Sequence, residues 1–148
     1  MVKSELLKYC NHYVSERIGR FSGAISEAQS GANNETKSSA GDKHETGRAM
    51  AQLETENNSL HLAEAKKLKA VLNQINENQS LVVVSLGAVV RTDKGNFFIA
   101  ISAGKTKVND EDYFVVSAAT PVGQAFLGKK VGEVGTVNGR EFIIQDVQ

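Results

Sequence analysis

Asp42 and Glu45 stand three residues apart in Gly41-Asp42-Lys43-His44-Glu45, with His44 between them. Carboxylates and an imidazole move protons, and the intrinsic pKa of histidine near neutrality suits His44 to a general-base role. The same spacing also has a structural use, because an acid at a helix start followed three residues later by Glu makes a capping box. An exposed loop histidine likewise needs no chemical role. The choice between these readings turns on what carries the residues, since a small enzyme keeps its acidic pair in its own pocket.

Two helix-compatible arms flank the acids, from about Ser4 to Glu35 and from about Glu45 to Asn76. Each would be roughly 45 to 50 Å long at 1.5 Å per residue. In the first arm Leu7, Cys10, Val14, Ile18, Phe21, Ile25, Ala28 and Ala32 recur at alternating spacings of three and four, a coiled-coil seam. The second arm offers a looser stripe of Met50, Leu53, Asn57, Leu60, Ala63, Leu68, Leu72 and Ile75. An antiparallel helical hairpin lets the two stripes face each other. Gly19, Gly23, Gly31 and Gly47 lower helix propensity, so fraying or bending toward the tip is expected. The turn formers and cap residues from Asn33 to Asp42 read as a loop. Asp42 and Glu45 would then lie far from the rest of the protein, on a support suited to work inside another macromolecule.

Composition sets the frame for this reading. The chain has 148 residues, with 17 basic against 17 acidic side chains, so nothing global draws it to nucleic acid or membrane. Any nucleic-acid contact must be local, and Lys43 and Arg48 beside the acids could touch phosphate. Cys10 is the single cysteine; it excludes an internal disulfide, no Cys/His cluster has zinc spacing, and a reducing cytoplasm is the expected setting. Its place on the apolar seam makes it a small core residue. His12 and His61 lack local partners for a metal site and read as surface residues. The opening residues hold no apolar segment of signal-peptide or membrane-span length, and a soluble intracellular protein without a membrane partner is expected.

Near Asn76 to Ser80 the composition shifts from Glu, Lys, Asn, Ser and Ala to Val, Phe, Ile and Gly. Short apolar runs at Leu81 to Ser85, Ala88 to Arg91, Asn96 to Ser102 and Tyr113 to Ser117 read as strands, with Asp93-Lys94-Gly95-Asn96 as a hairpin turn. Lys105 to Asp112 reads as a charged loop. Pro121 to Gly128, with Pro at its start and Gly at its end, predicts one short helix. Strands over about Glu133 to Val137 and Glu141 to Asp146 enclose Asn138-Gly139. The fold class is therefore α+β: a helical hairpin over 1–78 with its acidic tip near 36–46, then a small, mostly antiparallel β domain with one short helix over 79–148.

In this order of elements the chain resembles the Gre family (GreA/GreB type) of bacterial transcript-cleavage factors over nearly its whole length. The more specific likeness is C-terminal. Thr120-Pro121-Val122-Gly123-Gln124-Ala125-Phe126-Leu127-Gly128-Lys129-Lys130-Val131-Gly132-Glu133 is similar to the family's Ser-Pro, short helix, Leu-hydrophobic-Gly-Lys, Gly-Asp pattern. Glu141 to Val147 fits its last strand. At the tip, Gly41-Asp42-Lys43-His44-Glu45 resembles the family's Gly-Asp-x-x-Glu, whereas Thr46-Gly47-Arg48-Ala49 departs from its Asn-Ala-Glu-Tyr.

The resemblance implies an FKBP-like C-terminal domain, which does not by itself carry prolyl isomerase activity. It implies RNA polymerase as partner, entry of the tip through the secondary channel, and Mg²⁺-dependent cleavage of the backtracked RNA 3′ end. Two metals about 4 Å apart catalyse such hydrolysis well, and one or two added carboxylates can retain a weakly held Mg²⁺. Asp42 and Glu45 would hold that second ion within the polymerase site and orient the attacking water. The protein would be a catalytic accessory, not an independent enzyme, with no ion held stably alone. A second reading is a Gre-like channel regulator that modulates or inhibits transcription without stimulating cleavage. A third is a coiled-coil interaction protein whose tip acids only cap a helix. A hairpin that satisfies its own seam implies a monomer.

Overall fold

A computed structural model describes residues 1–37 and 41–148, with side chains described outside 31–45. The fold is α+β: two long helices, α1 (Val2–Lys37) and α2 (Gly41–Asn73), precede a six-stranded mixed sheet and one short helix. The strands are β1 (Val89–Thr92), β2 (Gly95–Ala100), β3 (Gly104–Val108), β4 (Glu111–Ser117), β5 (Val134–Val137) and β6 (Arg140–Val147), with α3 (Pro121–Phe126) between β4 and β5. Among the described residues no helix is long and apolar enough to cross a membrane.

The helices run further into the expected loop than its turn formers imply, since α1 continues to Lys37 and α2 opens at Gly41. Ser38 to Ala40, in the middle of that loop, lie outside the described residues. Once a helix is nucleated each added residue gains a backbone hydrogen bond, while Asn, Thr and Glu lose only a few tenths of a kcal/mol in propensity. α1 runs unbroken through Gly19 and Gly23.

Two compact units make up the chain, Val14–Lys69 and Met1–Tyr13 together with Ala70–Gln148. In the first unit the α1 seam is as expected up to Ala28: Val14 is fully buried, and Ile18, Phe21, Ile25 and Ala28 are half-buried, while the Ala32 side chain lies outside the described residues. The α2 seam is displaced up to Ala63, while Leu68 of the expected stripe is half-buried. Ala51, Thr55, Asn58, Leu62 and Ala65 face inward, whereas Met50, Leu53, Asn57, Leu60 and Ala63 are exposed. Large apolar residues thus mark the outer stripe here, and of the inward one only Ala65 is buried outright.

In the second unit the sheet order is β3-β4-β2-β1-β6-β5, antiparallel except for the β2–β4 pair. On one face Val90, Phe97, Ile99, Phe142 and Ile144 form a core with Val84 and Phe126 of α3. Phe126 meets Phe97 and Phe142 edge-on, at centroid distances of 5.2 and 5.8 Å. Strand alternation turns Val89, Phe98, Tyr113 and Val115 to the other face, where all four are buried. Leu6, Leu7, Cys10 and Leu72 are the buried apolar helical residues of the same unit besides Phe126. Tyr9 Oη donates to the Ala103 carbonyl at 2.6 Å, and Lys3 Nζ to the Gln79 carbonyl at 2.7 Å.

Two local expectations are corrected. Leu81–Ser85 forms no regular strand; Val84 instead donates to Lys129 O and accepts from Gly128 N, both at 2.9 Å. The charged loop at Lys105–Asp112 is a hairpin of β3 and β4, turning at Asn109 and Asp110 with φ of 51° and 64°. Lysines alternating along an edge strand keep it from pairing with other chains, so charge here marks a strand edge.

Candidate functional site

The residues with the clearest chemical potential fall at the end of α1 and the start of α2. Asp42 and Glu45 are the second and fifth positions of α2, within its first two turns. Positions three apart on a helix share a face. Their side chains, and those of Lys37, Lys43 and His44, lie outside the described residues. Arg48, the last of the expected cations, is exposed and borders a shallow cavity of about 260 Å³ with Gln29, Gln52 and Thr55.

Beyond Thr46 the described helices carry a feature that the sequence did not announce. A groove of about 890 Å³ runs beside α2, lined by Met50, Leu53, Glu54, Asn57 and His61, with Glu27 contributed by α1. His61 is exposed, as expected, yet its ring stacks on Phe21 at 5.0 Å with an interplanar angle of 23°. The Arg20 guanidinium lies over the same Phe21 ring at 5.1 Å. The His61 end of the groove is thus flanked by an aromatic ring and a cation, while Glu27 and Glu54 bring carboxylates to its middle. The signal was in the sequence as the apolar stripe Met50, Leu53 and Leu60, assigned there to the seam.

Polar groups elsewhere are tied into structure. Arg91 donates to Glu111 Oε2 and to Tyr113 Oη, each at 2.7 Å, across the sheet from β1 to β4. Burial raises the Tyr113 phenol above its ordinary value, against the pull of the Arg91 charge. Burial likewise pushes the Cys10 thiol up to about 12, making it an inert core residue. Among the described residues no three His, Cys, Asp or Glu side chains gather as a metal site.

The motif at the start of α3 has a clear local cause. Thr120 Oγ1 accepts from Gly123 N at 3.1 Å, capping the helix, and Pro121 occupies its first turn. A Cβ on Gly123 would stand 2.3 Å from the Ser117 carbonyl oxygen, so only glycine admits this close return of the chain. A Cβ on Gly135 of β5 would meet the Phe126 ring at 2.6 Å. Both glycines thus serve the seating of α3 on the sheet.

No family model and no curated protein matches the chain. Among solved structures, the chain is similar to the crystal structure of GreA factor homolog 1 (Gfh1) of Thermus thermophilus, with 19% sequence identity and a TM-score of 0.35. The alignment covers 91% of this chain and 92% of that chain.

Proposed function

We propose that the protein is a transcription elongation factor that binds RNA polymerase, inserts its helical tip around Asp42 and Glu45 into the secondary channel and stimulates Mg²⁺-dependent cleavage of backtracked RNA. The observation that carries this reading is the position of Asp42 and Glu45: two acids three apart at the opening of a 33-residue helix that follows a 36-residue one. The sequence likeness at Gly41 to Glu45 and at Thr120 to Glu133 supplies the polymerase as partner. Two carboxylates are hard oxygen donors of the kind Mg²⁺ accepts alongside its retained waters. When bound, Mg²⁺ activates water and stabilises charge on the phosphoryl oxygens. Asp42 and Glu45 would hold the ion and orient the attacking water. The factor is then an accessory, inert toward RNA alone.

A second reading, a channel regulator without cleavage stimulation, is favoured by one particular: Thr46-Gly47-Arg48-Ala49 places the exposed Arg48 cation where the Gre pattern has an acid. RNA cleavage in a stalled, backtracked bacterial elongation complex separates the two. The intact protein is expected to accelerate cleavage, and the Asp42→Ala/Glu45→Ala variant, at saturating binding, to leave the polymerase at its own rate. Binding without acceleration makes the protein a regulator, and failure to bind removes the polymerase from the account.

A further inference from the structure

The stripe Met50, Leu53, Asn57 and Leu60 repeats at spacings of three, four and three, as a coiled-coil seam does, yet it is not the seam α2 uses within its own unit. Met50, Leu53 and Leu60 are 63%, 55% and 66% exposed. We propose that this face is an antiparallel, two-fold contact with a second copy of this chain, centred on Asn57.

Three features of the face commit it to its own copy. The first is apolar self-complementarity: Leu53 and Leu60 lie four before and three after Asn57, so a two-fold axis there lays Leu53 beside Leu60 of the second copy, and the converse. The second is charge. Glu54, with Glu27 of α1, lies on one side of Asn57, and His61 with the Arg20–Phe21 stack lies on the other. An antiparallel partner sets the acidic side of one copy on the basic side of the other. A parallel one would set Glu54 on Glu54, and like charges brought together oppose association. The third is Asn57, whose amide both donates and accepts, so two copies at the axis can satisfy each other; a lone polar residue in a seam fixes register and orientation. The monomer expected of a self-satisfied hairpin is then the dissociated state, because the inner α2 seam leaves this outer stripe uncovered.

Three apolar side chains per copy make a contact well under the standard interface, so association is weak, with a dissociation constant on the order of 100 µM. Sedimentation equilibrium of the full chain at concentrations up to about 1 mM tests it without any polymerase, independently of the proposed function. The mass is expected to rise from the 15.9 kDa of one chain toward twice that value. Leu53→Glu/Leu60→Glu, at two exposed positions where glutamate is a good helix former, should hold the protein monomeric with unchanged helical circular dichroism. Glu54→Arg should weaken the dimer about tenfold, and adding His61→Glu should restore it. A monomer at every concentration, or a dimer indifferent to the double leucine substitution, overturns the contact. A charge swap that fails to rescue overturns its antiparallel register.

Discussion

Glycine has opposite consequences at two positions of this chain. At Gly23 in α1 an added Cβ meets nothing within 4 Å, so Gly23→Ala relieves only backbone entropy and should stabilise the helix by about 0.5 to 1 kcal/mol, read as a higher helical melting midpoint. At Gly123 the added Cβ strikes the Ser117 carbonyl oxygen, and Gly123→Ala should cost about 1 to 3 kcal/mol in urea denaturation of the sheet unit. Asp93 gives a second residue-scale test. Its Oδ1 accepts from Ile143 N at 2.8 Å, and that bond, aided by the Lys94 charge, holds the carboxyl below its ordinary value of 3.8. A carboxyl with a depressed folded pKa contributes stability that is full above its unfolded value and lost as pH falls through the folded one. Asp93→Asn keeps an acceptor for Ile143 but no titrating group. The urea-midpoint difference between wild type and Asp93→Asn at neutral pH should therefore shrink below pH 3.8, and a difference that stays constant would mean the carboxyl does not titrate with folding.

At the scale of elements, the α3 cap links sequence to position most directly. Thr120→Ala removes the acceptor for Gly123 N and should destabilise the sheet unit by about 1 kcal/mol, with Thr120→Ser restoring most of the loss in the same urea titration. That cap was legible because Thr-Pro at a helix start has one local meaning. The β1–β2 and β5–β6 hairpins were legible for the same reason, through Asp93-Lys94 and Asn138-Gly139, whose positive φ values of 50° and 79° suit the turn. What escaped depended on distant partners. Lys105 to Val108 becomes β3 only because β4 lies alongside it, and nothing local marks charged residues as an edge strand. The inner α2 seam escaped because two stripes one or two residues apart both fit a helical period, and the choice between them falls to packing against α1. Of the candidate site, Asp42 and Glu45 were legible by type and spacing, whereas the groove required the helices to be placed.

Across the whole molecule, burial is distributed unevenly between the two units, and stability should follow it. In Val14–Lys69 the fully buried apolar side chains among the described residues are Val14 and Ala65, and the rest of the inward stripe is half-exposed or polar. The sheet unit instead holds a continuous aromatic and aliphatic core, with Phe98, Ile99, Tyr113, Phe126 and Ile144 all at most 1% exposed. Local opening is governed by such differences, because a segment with few buried apolar contacts unfolds without dragging the remainder with it. Native-state hydrogen exchange on the full chain should therefore show two classes of amide. Those of Ile18 to Gln29 and of Ala51 to Leu62 should exchange through openings of low free energy, while β1, β2, β4 and β6 amides should require near-global unfolding. Uniform protection across both classes would mean that the helices unfold only with the sheet. The expected pattern gives a helical pair that opens while the sheet stays intact, and covering the Met50, Leu53 and Leu60 stripe should selectively slow exchange in α2.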